Sequence, residues 1–96
     1  MMVLITYDVN TEDAAGRSRL RRIAKQCVDY GQRVQNSVFE CELDPVHYRT
    51  LKAALLEIMD QKKDSLRFYE LGAHYEKKIR HYGAKPSYMP EEALIL

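Results

Sequence analysis

A chain of 96 residues is one small domain, and at this size only about 60–65% of the unfolded surface is buried, which leaves a lone copy little stability to spare. The length excludes a multidomain enzyme and a doubly wound nucleotide-binding fold. The 46% hydrophobic and 30% charged fractions belong to a folded protein, and the net charge of +1 means that any polyanion must be recognised by local clusters of charge.

Val3 to Val9 is rich in β-branched and aromatic residues and predicts a central strand, ending in the turn region Asp8-Val9-Asn10-Thr11. From Asp13 to Tyr30 the apolar period becomes helical, with Leu20, Ile23, Ala24, Cys27 and Val28 as the inward stripe and Gly31 as the stop. Arg33 to Leu43 predicts a second strand, Phe39, Cys41 and Leu43 on one side and Val34 and Val38 on the other. Burial on both faces, or a bulge at Asn36-Ser37, accounts for that imperfect alternation. Asp44-Pro45 is a strong helix start, a capping carboxylate followed by proline at the first helical position. This second helix runs to Met59, with Leu51, Leu55, Ile58 and Met59 inward, and Gln61 to Asp64 is a polar turn. Ser65 to Leu71 predicts a third strand and Ile79 to Tyr82 a short fourth.

The class is α+β, two helices against a mostly antiparallel sheet. Taken literally the order is β-α-β-α-β-β, which departs from the ferredoxin-like βαββαβ unless the 33–43 segment holds a hairpin. A last pair formed by residues 66–71 and 79–82 satisfies the sequence better. The whole of residues 1–96 is one domain, and its tail, residues 86–96, ends Ala93-Leu94-Ile95-Leu96 after two prolines. So apolar an end is expected to add to a sheet edge, of a second copy or of another partner, and a dimer is the expectation.

Two cysteines, Cys27 and Cys41, are too few for a disulfide framework and suggest free thiols in a reducing compartment. The start lacks a secretory pattern, and no apolar run approaches the roughly 20 residues of a membrane span. A cytoplasmic protein without a membrane partner is expected.

No glycine-rich phosphate loop, Cys-x-x-Cys or His-Glu-x-x-His occurs, and the three histidines are scattered. Asp8 is the one acid in the first strand, at its C-terminal end after Tyr7. It is either a turn carboxylate or half of a hard-cation site, since a two-fold axis can supply the second carboxylate that one chain lacks. The run Arg17, Arg19, Arg21, Arg22, Lys25 is either a solvated helix face or a grip on a phosphate backbone. Lys77, Lys78, Arg80, His81 and Lys85, interleaved with Tyr75, Tyr82 and Tyr88, suit nucleic acid or an interface equally. Neither cluster carries a base-reading code.

The start Val-Leu-Ile-Thr-Tyr-Asp8-Val, the basic first helix, Arg33-Val-Gln-Asn-Ser37-Val-Phe39-Glu40 and Asp64-Ser-Leu-Arg67-Phe-Tyr69 together resemble the small CRISPR-associated adaptation protein family. This is the compact partner of the CRISPR integrase, also called the CRISPR-associated endoribonuclease or endonuclease, and the tail and length look most like the subtype I-C version. The resemblance implies a ferredoxin-like protomer with an additional C-terminal strand, paired as a homodimer. It implies that Asp8 and its dimer mate hold Mg2+ (or Mn2+) and serve phosphodiester cleavage of duplex DNA or single-stranded RNA. Tyr7, Ser37 and Phe39 would support that site. Arg17 and Arg33 carry over as phosphate contacts, beside Arg19, Arg21, Arg22, Lys77 and Lys78 from the charge pattern. The family also works as a non-enzymatic scaffold that bridges integrase dimers, so both roles are expected of this chain.

Overall fold

The alternation of β-branched and aromatic residues at the start of the chain produces the central strand of the sheet. A computed structural model describes residues 1–83. In it β1 spans Met2–Asp8, with Val3, Ile5 and Tyr7 buried on one face, and Val9 is buried just beyond its end. The helix α1, Ala14–Tyr30, starts where the Asp13 carboxylate accepts the Gly16 N–H. Gly31 ends it by donating its N–H to the Cys27 carbonyl at 2.9 Å. A side chain at Gly31 would run into Cys41 Sγ and the Glu40 carbonyl, so glycine lets the helix end come down onto the sheet.

The 33–43 segment is not one strand. It is a hairpin of β2, Gln32–Gln35, and β3, Val38–Glu42, joined by a tight turn at Asn36-Ser37. The second helix, α2, covers Pro45–Ile58 and is capped by Asp44, whose carboxylate accepts the His47 N–H at 2.7 Å. β4, Ser65–Gly72, follows the turn and pairs along the whole of β1.

The four strands lie in the order β2-β3-β1-β4, each antiparallel to its neighbour, which with the two helices gives the βαββαβ arrangement. The hairpin supplies the strand whose absence had favoured the other reading of the sequence. Residues 79–82 form no strand. Gly72 takes a positive φ of 81°, which turns the chain out of β4 and into the 3-10 turn Tyr75–Lys77. The tail at 86–96 lies outside the described residues.

Both helices pack on one face of the sheet. Val3, Ile5, Tyr7, Phe39, Cys41 and Leu43 from the strands meet Ile23, Cys27, Tyr48, Leu51 and Leu55 from the helices. Leu20, Ala24, Ile58 and Met59 flank this core as expected, but Val28 is 55% exposed. It follows Cys27 by a single residue, about 100° around the helix, and so leaves the inward stripe. No helix among the described residues is long and apolar enough to cross a membrane.

Candidate functional site

Strand register decides what gathers around Asp8. Its ladder partner is Ser65, and Thr6, two residues back on the same face, lies opposite Arg67. Directly opposite residues in an antiparallel pair share a face, so Asp8, Ser65, Thr6 and Arg67 all belong to the side away from the helices. Asp8 is exposed, and among the described residues no hydrogen bond or ion pair occupies its carboxylate. Arg67 is held in turn by donating to the Tyr69 hydroxyl at 3.0 Å.

The other sequence-predicted support residues collect at the same end of the sheet. The Tyr7 N–H donates to the Ser37 carbonyl at 3.1 Å, and its hydroxyl donates to the Asn36 carbonyl at 3.3 Å. Its ring lies near parallel to that of Phe39, with centroids 6.2 Å apart. Tyr7 and Phe39 are buried, so they brace the strand end from beneath. The Arg33 guanidinium sits 5.1 Å from the Phe39 centroid. Burial, with Cys27 adding to it, pushes the Tyr7 phenol above its usual range, and Arg33 offsets part of that rise. Tyr7 therefore stays a neutral hydrogen-bond donor at physiological pH.

The cations separate into three groups. Arg17, Arg21, Arg22 and Lys25 are exposed along α1, Arg17 donating to the Thr11 carbonyl at 3.3 Å in the loop just after Asp8. Arg19 turns inward instead. Its Nε and one terminal nitrogen donate to the Asp64 carboxylate at 2.7 and 3.3 Å, and its side chain is only 12% exposed. Lys77 and Lys78 follow β4 at the far end of the sheet, where Gly72 pairs with Met2, and Lys78 Nζ donates to the Leu71 carbonyl at 2.7 Å. A seven-residue strand separates them from Asp8, on the order of 20 Å. They are no part of the Asp8 end.

Two residues of this end escaped the sequence reading as site residues. Arg67 is the cation nearest in register to Asp8, and only the β1–β4 pairing reveals it. Asp64 closes the polar turn before β4, and its side chain is fully withdrawn from solvent. The signal for it was weak: one acid in the Asp64-Ser65-Leu66-Arg67 run, with no spacing that ties it to Arg19.

One carboxylate by itself is a poor divalent-cation site, and no group of three or more acids, histidines or cysteines forms a metal cluster among the described residues. An exposed oxygen donor such as Asp8 fits a hard cation once joined by further donors, which the described residues do not bring to it.

Residues 1–79 match the family model described as CRISPR associated protein Cas2. The chain belongs to the Cas2 family. It is 62% identical over 96 residues to the CRISPR-associated endoribonuclease Cas2 of Nitratidesulfovibrio vulgaris, covering all of this chain and 94% of that one. It is 55% identical over 95 residues to the CRISPR-associated endonuclease Cas2 of Halalkalibacterium halodurans, covering 99% of both. The fold superposes on the crystal structure of Streptococcus pyogenes Cas2 at pH 6.5 with a TM-score of 0.75 and 58% identity, covering 86% of this chain and all of the other. The α+β architecture derived above is therefore that of solved Cas2 proteins.

Proposed function

We propose that this Cas2 chain is an endonuclease of CRISPR spacer acquisition, acting in the cytoplasm on phosphodiester bonds of duplex DNA or single-stranded RNA. The observation that carries the reading is the exposed Asp8 carboxylate at the strand end, without a partner among the described residues and beside the start of a basic helix. Two chains are needed, because Asp8 is one ligand and a homodimer supplies its mate. Mg2+, or Mn2+, held by the two Asp8 side chains would neutralise phosphoryl charge and lower the pKa of a bound water.

The chain's own residues do the rest. Arg17, Arg21, Arg22 and Lys25 present N–H donors to a phosphate backbone without reading bases, which suits a substrate chosen by shape and charge. Arg67, facing the same side as Asp8, orients the phosphate under attack. Tyr7 and Phe39 hold the strand end rigid from below. No side chain among these is placed as a general base, so slow turnover is expected. The sequence of the tail and the chain length suggest the version found in subtype I-C systems.

A second reading is favoured by α1 itself, whose exposed cations need no Asp8. There the homodimer is a non-enzymatic scaffold that binds the spacer duplex and bridges two dimers of the CRISPR integrase.

Wild type and Asp8→Asn should be compared on matched duplex DNA and single-stranded RNA, following binding and cutting together, with magnesium and with chelator. The nuclease reading expects cutting to fall at least about a hundredfold in the variant and in chelator while duplex binding persists. Binding without cutting by either protein leaves the scaffold. Equal cutting by both removes Asp8 from the active site.

A further inference from the structure

The Asp64 carboxylate receives more hydrogen bonds than any other acid described here. Its Oδ1 accepts the Asn10 N–H at 3.0 Å, its Oδ2 accepts the Asp60 N–H at 2.9 Å, and Arg19 binds both oxygens side-on. The side chain is 0% exposed. The turn that carries it is rigid in its own right, because the Asp60 carbonyl accepts the N–H groups of Lys63 and Asp64 at 3.0 and 2.8 Å.

Asn10 is two residues beyond Asp8 and is fixed from three directions. Its N–H is on Asp64, its side-chain Oδ1 accepts the Glu12 N–H at 2.9 Å, and its carbonyl lies so close to Gly16 that any Cβ there would collide with it. On the other side, Asp8 itself is paired in the ladder with Ser65, the residue after Asp64. One carboxylate therefore ties together the turn before β4, the loop after β1 and the first turns of α1.

We infer that Asp64 and Arg19 form a lock that sets the backbone immediately beyond Asp8, so that Asp64 is a positioning residue for Asp8 and Arg19 acts by holding Asp64 and not by gripping phosphate. Arg19 thereby differs from its neighbours on α1. Moving its guanidinium to a phosphate would strand a shielded carboxylate without its counter-ion, a far larger penalty than one backbone contact returns. Arg17 and Arg22, exposed and without such a partner acid among the described residues, are not tied in this way. The lock stands on the hydrogen bonds alone, and its catalytic consequence rests on the reading of Asp8 given above. Displacing a reacting group by about 1 Å is enough to reduce turnover on the order of a hundredfold, so a lock of this kind would govern rate and leave affinity alone.

The test uses the full chain as wild type, Asp64→Asn, Arg19→Gln, Arg22→Gln and Gly16→Ala, with Leu51→Ala as a control that loosens the core away from the loop. All are measured well below their melting temperatures. In the metal-free protein, amide exchange at Asn10 relative to Ile5 should rise about tenfold or more in Asp64→Asn and Arg19→Gln and stay level in Leu51→Ala. The slope of log duplex affinity against log salt should be unchanged in Arg19→Gln and shallower by about one in Arg22→Gln. Cutting should lose about 10–100-fold in kcat, with KM within about twofold, in Asp64→Asn and Gly16→Ala. Gly16→Ala presses on the Asn10 carbonyl from the opposite side and keeps the test open if Asp64→Asn does not fold.

A slope reduced by about one in Arg19→Gln, with Asn10 exchange unchanged, makes Arg19 a phosphate contact and overturns the lock. Faster exchange with undiminished kcat, in a preparation whose cutting Asp8→Asn abolishes, overturns the positioning role. If Asp8→Asn still cuts, the positioning role falls with the Asp8 reading, while the exchange ratio and the salt slope still decide the lock.

Discussion

The two faces of β1 are written in the same seven residues and face opposite demands. Val3, Ile5 and Tyr7 lie against both helices in a dry core that includes the two thiols, and the burial of these residues is complete or nearly so. Leu4, Thr6 and Asp8 look the other way, with Glu40, Val38, Arg67 and Tyr69 from neighbouring strands opposite them, and no α-helix among the described residues covers them. At the 3-10 turn, desolvation raises the Tyr75 phenol, and the charges of Glu42, Glu76 and Glu40 raise it further. The lesson is a division of labour at single-residue spacing. Val3, Ile5 and Tyr7 hold one chain together, while Thr6 and Asp8 present polar groups on the open side.

The comparison predicts unequal losses on the two faces. Phe39→Ala, at the centre of the closed face, should destabilise by about 3–5 kcal/mol in denaturant unfolding. The same variant should unmask Cys27 and Cys41, which in the native protein should resist thiol reagents because both are buried and burial pushes the thiols up to about 12 and about 11. Tyr69→Ala, on the open face and 40% exposed, should change unfolding by less than about 1 kcal/mol but weaken the proposed homodimer about tenfold, read by sedimentation against concentration. Equal destabilisation by both would erase the distinction between the faces.

Two acids sharpen it further. Burial opposes ionisation of Asp64, but Arg19 and the N–H groups of Asp60 and Asn10 outweigh it and hold the carboxyl below its usual range. Its folded value thus lies under its unfolded one, so its stabilisation is present above about pH 4 and is lost as pH falls through the folded value. Asp64→Asn should flatten the acid limb of a stability–pH curve. Glu40, half-buried on the open face, is shifted the opposite way by burial. Its charged form is disfavoured in the folded chain, so its penalty grows as pH rises past about 4 and is absent below it. Glu40→Gln should therefore give the smallest effect, a slight rise in melting temperature at pH 7 that vanishes at pH 3.

Periodicity made β1, both helices and β4 legible in the sequence because each repeats apolar residues at its own period, even where Glu70 interrupts the Leu66–Phe68 face of β4. The hairpin was not separable from a single strand for a definite reason. Its turn, Asn36-Ser37, has no glycine or proline, and register slips between Arg33 and Gln35, so the alternation blurs where the chain reverses. Ile79 to Tyr82 had strand-like composition, but the positive φ at Gly72 had already redirected the chain. At the site, Asp8 could be named from its place at a strand end, and the basic face of α1 from its run of arginines. The inward turn of Arg19 could not, because its partner lies 45 residues away in a turn that only the fold brings near.

The order β2-β3-β1-β4 leaves the sheet with two unlike rims. At one rim β2 is four residues long, interrupted in register and carries an arginine, so it offers a poor template for another strand. At the other, β4 extends for eight residues and has β1 as its one neighbour among the described residues. A sheet blunted on one side and receptive on the other can be lengthened only once. The proposed homodimer, formed through that rim, would close on a finite assembly and would not propagate into a fibre.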